Sequence, residues 1–137
     1  MLAVDGTQLG ELAEGFYRAF LAADRKALAE LVAPEAAWVV GLETAISGAH
    51  VGPSGIAALR RQIDHLTAGS WRPLRADSFD IATSSWHAVI MDRFLAERGA
   101  FRLDSHEAVI VAVDERRITR LFHYLHDPAA FEAFWAR

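Results

Sequence analysis

The chain has 137 residues, 53% of them hydrophobic and 23% charged, enough apolar material for one core and too much for a disordered segment. Its net charge is −4, and its 14 Lys and Arg are spread along the chain without forming a stripe, which argues against a nucleic-acid partner. The absence of cysteine removes disulfides, thiolate nucleophiles and thiolate metal sites together. The opening "MLAVDGTQLGELAEG" lacks a basic region followed by an apolar stretch, and no apolar run approaches a membrane span. The expectation is one cytoplasmic, soluble domain over residues 1–137, with no membrane partner.

The first predicted element is a helix from Thr7, read as its N-cap, with Leu9, Leu12, Phe16, Phe20 and Leu21 on one stripe. A break at "AAD" precedes a short second helix carrying Leu28, Leu31 and Val32, which Pro34 ends. "AAWVVG" reads as a strand and "SGAHVGPSG" as a loop, its glycines and proline being turn residues. A third helix, capped by Ser54, places Ile56, Leu59, Ile63 and Leu66 on one side. Four strands follow, "LRADSFDIA", "WHAVIMDRFLA", "FRLDSHEAVIVAV" and "ITRLFHYL", joined by turns at "TSS", "ERG" and "DERR". Asp127 before Pro128 then starts a terminal helix with Phe131, Phe134 and Trp135 as its apolar residues. The order implies an α+β fold with helices on one side of a curved antiparallel sheet.

Turn positions set the strand register, and register decides which polar residues share a face. A two-residue loop at Arg98–Gly99 puts Arg93 opposite Asp104 and Met91 opposite His106. A second loop at Glu115–Arg116 puts Leu125 opposite His106 and His123 opposite Ala108. Arg93, Asp104, His106 and His123 then converge on one face, in an apolar surround of Val89, Met91, Ala108, Ala112, Leu121 and Leu125. Such a pocket tunes a histidine and a carboxylate for proton transfer near neutral pH. An internal ion-pair network is the structural alternative, and one β-bulge would invert a strand's polar set. The other face, with Ile90, Asp92, Phe94, Ser105, Glu107, Val109, Val111, Phe122, Tyr124 and His126, is too apolar to be bare, so it is expected to pack a homodimer.

The segments "FYRAFLAADRKALAELVAPEAAW", "GPSGI" and "RRITRLFHYLHD", with the order of elements around them, resemble the nuclear-transport-factor-2-like superfamily and within it the SnoaL-like polyketide-cyclase group. The resemblance spans nearly the whole chain and implies a cone-shaped α+β barrel around an apolar cavity, commonly dimeric. Against the ketosteroid isomerases, the tyrosine position looks like Phe16, the catalytic base falls at Val40 and the oxyanion-hole aspartate near Ala108, so that site is absent. Against the limonene-type epoxide hydrolases, the arginine looks like Arg93, while their two aspartates correspond to Leu95 and His123.

The expected function is therefore a cofactor-free, metal-free acid–base enzyme of cyclase, isomerase or dehydratase type, acting on a small apolar ring-containing molecule such as a polyketide or terpenoid intermediate. His123 or His106 is the expected base or acid, oriented by Asp104, with Arg93 stabilising developing negative charge. Phe16, Tyr17, Phe20, Trp38, Val40, Met91, Leu121 and Leu125 are the expected substrate contacts, although Phe16, Phe20, Trp38 and Trp86 read first as packing residues. His50, His65 and His87 read as surface or rim residues, and no pair of histidines at helical spacing suggests a metal. A noncatalytic ligand-binding or dimerisation domain of the same fold, and an epoxide hydrolase with His123 as water activator, are the alternatives.

Overall fold

The computed structural model describes residues 6–74 and 79–137. Helix α1 (Gly6–Leu21) buries Leu9, Ala13, Phe16, Tyr17 and Phe20 along one stripe; Thr7 lies inside this helix and is not its cap. Asp24 caps α2 (Arg25–Leu31) by accepting from the Ala27 N–H at 3.0 Å. The stretch expected as a loop is a strand: β2 (Gly48–Val51) pairs antiparallel with β1 (Ala37–Val40). At its end Gly52 has φ +68°, and a Cβ there would lie 2.6 Å from the Pro34 carbonyl oxygen, so only glycine turns the chain directly into α3 (Gly52–Thr67). Pro53 occupies the first turn of α3, Ser54 lies within the helix, and no side chain caps this end.

The strands β3 (Arg72–Pro73), β4 (Asp80–Thr83), β5 (His87–Arg98), β6 (Phe101–Asp114) and β7 (Arg117–Leu125) complete a sheet of order β2-β1-β7-β6-β5-β3, with β4 also paired to β5. Of the strand expected over 74–82, residues 75–78 lie outside the described residues and the end forms β4. The sheet is mixed rather than antiparallel throughout, because β1 runs parallel to β7, with Trp38 beside Leu121. It is curved and unclosed, with four helices packed on it. As expected, Asp127 caps α4 (Pro128–Phe134), accepting from the Ala130 N–H at 3.0 Å.

Two turns and one bulge fix what each face carries. The β5–β6 turn is centred on Gly99 and Ala100, one residue later than expected, with Gly99 at φ +60° supplying the positive dihedral of a tight hairpin. Arg93 consequently pairs with His106 and Leu95 with Asp104, a shift that leaves the shared face unchanged. The β6–β7 turn falls at Glu115 and Arg116 as expected, both at positive φ. Beyond it, however, Val113 pairs with Ile118 while Ala112 pairs with Arg120, leaving Thr119 as an extra residue. From there to the strand end His123 pairs with Val109, not Ala108. The bulge lets Ile118 and Leu121, three positions apart, both point into the core.

The face toward the helices therefore carries Ile90, Asp92, Phe94, Ser105, Glu107, Val109 and Val111 together with Leu121 and His123. Arg93, Asp104, His106, Ala108 and Met91 lie on the opposite face. The expected assignment is inverted for β5 and β6 and correct for β7. Packing decides the matter: Ile90, Phe94, Val109 and Val111 are buried, whereas Met91 is 40% exposed.

Candidate functional site

Between the inner face of the sheet and the helices lies a cavity of about 30 Å³, room for one or two water molecules. Its walls are aromatic and aliphatic, including Phe20, Trp38, Val40, Ile63, Trp71, Phe94 and Phe131, and its polar groups come from Tyr17, Glu107, His123, Trp38 and Trp135. Helix α1 supplies Tyr17 and Phe20, the central strands supply Glu107 and His123, and the end of α4 supplies Phe131 and Trp135.

His123 stands edge-on between two aromatic rings, 5.7 Å from Trp38 and 5.8 Å from Phe131 between centroids. Its Nε2 lies 3.7 Å from Glu107 Oε1, and the two side chains are only 10% and 7% exposed. Its Nδ1 is buried and has no hydrogen-bond partner within the protein. At 3.7 Å the ring and the carboxylate are in ion-pair range without a hydrogen bond; with its proton on Nε2, the ring would present a free Nδ1 lone pair to the apolar cavity, where it could accept a proton.

Tyr17 donates to Asp92 Oδ2 at 2.7 Å, and the backbone N–H of Arg93 donates to Asp92 Oδ1 at 2.8 Å. Burial, the hydrogen bond to Asp92 and the negative charges of Asp92 and Glu107 hold the Tyr17 phenol far above its ordinary range, against the opposing Arg60 charge. Asp92 is also raised, by burial first and then by the charges of Asp80 and Glu107, while the Tyr17 and Arg93 donors act the other way. Tyr17 and Asp92 thus form a hydrogen-bonded pair, with Tyr17 in the cavity wall and Asp92 behind it in a neighbouring hollow that it shares with Met91, Arg93 and His106.

The sequence-predicted residues divide accordingly. His123, Tyr17, Phe20, Trp38 and Val40 line the cavity. Phe16 and Leu121 are buried in the surrounding core, and Leu125 packs against it half-buried. Arg93 and Asp104 form a two-pronged ion pair, both contacts 2.7 Å, on the outer face with side chains 41% and 52% exposed. The guanidinium holds the Asp104 carboxyl below its usual range. His106 is exposed on that face, its ring 6.1 Å from that of His126. These three residues and Met91 are therefore removed from the site, because the bulge at Thr119 pairs His123 with the odd-numbered residues of β6. His65 is exposed, His50 is half-buried with Nε2 2.9 Å from the Ile46 carbonyl oxygen, and Trp86 is half-exposed rather than packed.

Glu107 and Trp135 are the cavity-lining residues that sequence reasoning missed, together with Asp92, which reaches the cavity only through its hydrogen bond with Tyr17. A signal for Glu107 and Asp92 was present: in β5 and β6 their face carries the larger apolar side chains, Ile90, Phe94, Leu103, Val109 and Val111, and the heavier apolar set faces the core. The apparent isomerase position moves too: Ala108 is on the outer face, and the inward-facing residues on either side of it are Glu107 and Val109.

Across solved structures, Bal32a from a soil-derived mobile gene cassette is 26% identical, with TM-score 0.82 over 94% of this chain and 97% of its own. An NTF2-like protein of Burkholderia xenovorans LB400 is 14% identical, with TM-score 0.80 over 96% and 98%. This chain has the nuclear-transport-factor-2-like fold. A SnoaL-like polyketide cyclase of Jannaschia shares it at 11% identity and TM-score 0.72, over 100% of this chain and 99% of its own. No family model matches the sequence. Uncharacterised proteins of Mycobacterium tuberculosis and Mycobacterium bovis are 29% identical over 126 residues, covering 92% of this chain and 95% of theirs. Among the described residues no helix is long and apolar enough to cross a membrane.

Proposed function

We propose that this protein is a cofactor-free acid–base enzyme of the cyclase, isomerase or dehydratase kind, working on a small, mostly apolar, ring-containing molecule in the cytoplasm. The observation that carries this reading is the free Nδ1 of His123, buried in an apolar cavity with Nε2 turned to Glu107. In the proposed step a carbon acid beside an electron-withdrawing group gives its proton to Nδ1. Glu107 stabilises the imidazolium that forms, and the proton returns to the same molecule at a second position or leaves with a hydroxide as water. Asp104, His106 and Arg93 take no part. An epoxide hydrolase of the limonene type loses its support, since Arg93 lies outside the cavity.

The test is solvent exchange of α-protons on cyclic ketones in deuterated water, followed by proton NMR. The wild type accelerates exchange, and His123→Gln reduces the acceleration by about 10²–10⁴-fold, the usual contribution of a positioned base. Exchange no faster than in buffer, or equal in the variant, refutes the assignment.

A second reading is favoured by the small volume, about 30 Å³: a noncatalytic dimerisation domain whose cavity its own side chains nearly fill. Such a domain would neither bind the ketone nor exchange its protons. Independently, the outer face exposes Val39, Met91, Phe122 and Tyr124, between 40% and 63% exposed, and we assign that face to a homodimer. Sedimentation velocity checks this: the wild type runs as a dimer and Phe122→Asp/Tyr124→Asp as a monomer. A monomeric wild type contradicts the assignment.

A further inference from the structure

No two histidines of this chain stand at a helical interval, but the sheet register makes a pair that sequence spacing hides. Glu107 pairs with Leu125, and one step outward the His126 N–H donates to the His106 carbonyl at 3.3 Å, so the two histidines stand opposite each other on neighbouring chain segments. The bulge at Thr119 sets this register; in unbroken alternation from the turn, His106 would stand opposite Leu125. Both rings are exposed on the outer face, 6.1 Å apart between centroids and 74° between planes. Among the described residues neither ring makes a hydrogen bond, so their nitrogens are open to a ligand.

Two imidazoles that share one zinc-sized ion, at metal–nitrogen distances of about 2.0–2.1 Å, have ring centres about 5–6.4 Å apart. The separation of His106 and His126 lies in that range, and exposed side chains turn fast enough to aim one nitrogen of each ring at a common point. The pair lines a hollow of about 450 Å³ with Met91, Ala108 and Tyr124 in its walls, which leaves room for an ion and its further ligands. Asp80, the cross-strand partner of Met91, brings a carboxylate to the same hollow and makes no ion pair among the described residues. Arg93, also in the wall, is neutralised by Asp104 through two contacts of 2.7 Å. With neutral imidazoles this balance favours a cation over an anion. No third histidine or carboxylate completes a ligating cluster among the described residues, so the other coordination positions fall to water or a small ligand. Imidazole suits zinc, copper and nickel, whereas calcium and magnesium take oxygen ligands.

We infer that His106 and His126 form a two-histidine site for a divalent transition-metal ion of the zinc, copper and nickel class on the outer face of the sheet. The site lies across the sheet from His123, takes no part in the reaction proposed for the inner cavity, and stands independently of it. It sits two residues beyond Tyr124, at the margin of the exposed apolar patch formed by Val39, Met91, Phe122 and Tyr124.

Zinc chloride alone is the probe, added to full-length protein labelled with ¹⁵N at its six histidines, with ring signals assigned by His106→Gln and His126→Gln. The expected result is that the His106 and His126 ring signals move together, at zinc concentrations that leave the exposed His65 unmoved. Each glutamine variant weakens binding about 10²-fold, since the second ligand acts at a high effective concentration once the first is bound. Calcium chloride at the same concentration moves neither signal. Equal responses at His65 and at the pair, an unchanged zinc affinity in either variant, or displacement of zinc by calcium overturns the inference. The contrast between zinc and calcium needs only the wild type, so it holds whether or not a variant folds.

Discussion

The two faces of the central sheet carry nearly the same chemical groups in opposite surroundings. Inside, His123 and Glu107 stand with the Tyr17–Asp92 pair in a shell of aromatic rings. Outside, His106 stands near the Arg93–Asp104 pair, with Tyr124 and His126 exposed beside it. An exposed ion pair is screened by water and contributes little, whereas a buried pair feels its neighbours through a low dielectric and its charges are costly to strip of water. The lesson is that residue type alone does not mark a site; the side of the sheet does, and here one extra residue sets the side.

Deleting Thr119 is the most drastic way to break the contrast. Without the bulge, continuous alternation puts Leu121, His123 and Leu125 on the face opposite Ile118, so either the core loses its β7 side chains or the hairpin pairs out of register. The expected outcome is loss of cooperative urea unfolding monitored by tryptophan fluorescence, whereas Thr119→Ser keeps it. Next in size is the exchange of roles between the two histidines. His123→Gln lowers α-proton exchange by about 10²–10⁴-fold, while His106→Gln on the outer face changes it less than about twofold.

Two smaller effects separate the carboxylates by the sign of their pH dependence. Asp92 has a folded value raised mainly by burial, so it binds its proton more tightly folded than unfolded. Its favourable contribution is complete below the unfolded value of about 3.9 and is lost as pH rises through the raised folded value. Asp92→Asn should therefore gain stability relative to the wild type between pH 4 and neutrality, measured by urea midpoints; a constant difference contradicts the burial argument. Asp104 has the opposite sign, lowered first by its hydrogen bond with Arg93. Its contribution is present above the unfolded value and lost as pH falls through the lowered folded one. Arg93→Ala should move the Asp104 carboxyl titration upward by NMR and leave the urea midpoint at neutral pH within measurement scatter, because the pair faces water.

Much of this fold is legible in the sequence because its signals are local. The stripe Leu9–Phe16–Phe20, the break before the second helix, the Asp127 cap, Pro34 and Pro128, and the turn at Glu115 and Arg116 all act within a few residues. The strand β2 was hidden by its flanking glycines, since a four-residue strand between turns carries no periodicity of its own. The site was legible only in its chemistry. His123 was placed inward by the alternation of β7 alone, but its partners depend on a bulge whose only sequence trace is that Ile118 and Leu121 are both apolar while Arg120 between them is charged. Trp135 is further from reach: its place at the cavity depends on how α4 folds back over the sheet, a contact no spacing in the chain encodes.

The central claim is that His123, as the Nε2–H tautomer held by Glu107, presents a bare Nδ1 to the cavity. Ring ¹⁵N NMR of histidine-labelled protein at pH 7, assigned with His123→Gln and His106→Gln and repeated with cyclohexanone, tests it most directly. The account predicts a His123 Nδ1 resonance in the unprotonated, pyridine-like range that moves when the ketone is added, with His106 unmoved. A proton on Nδ1, or a response at His106 with His123 silent, would contradict it.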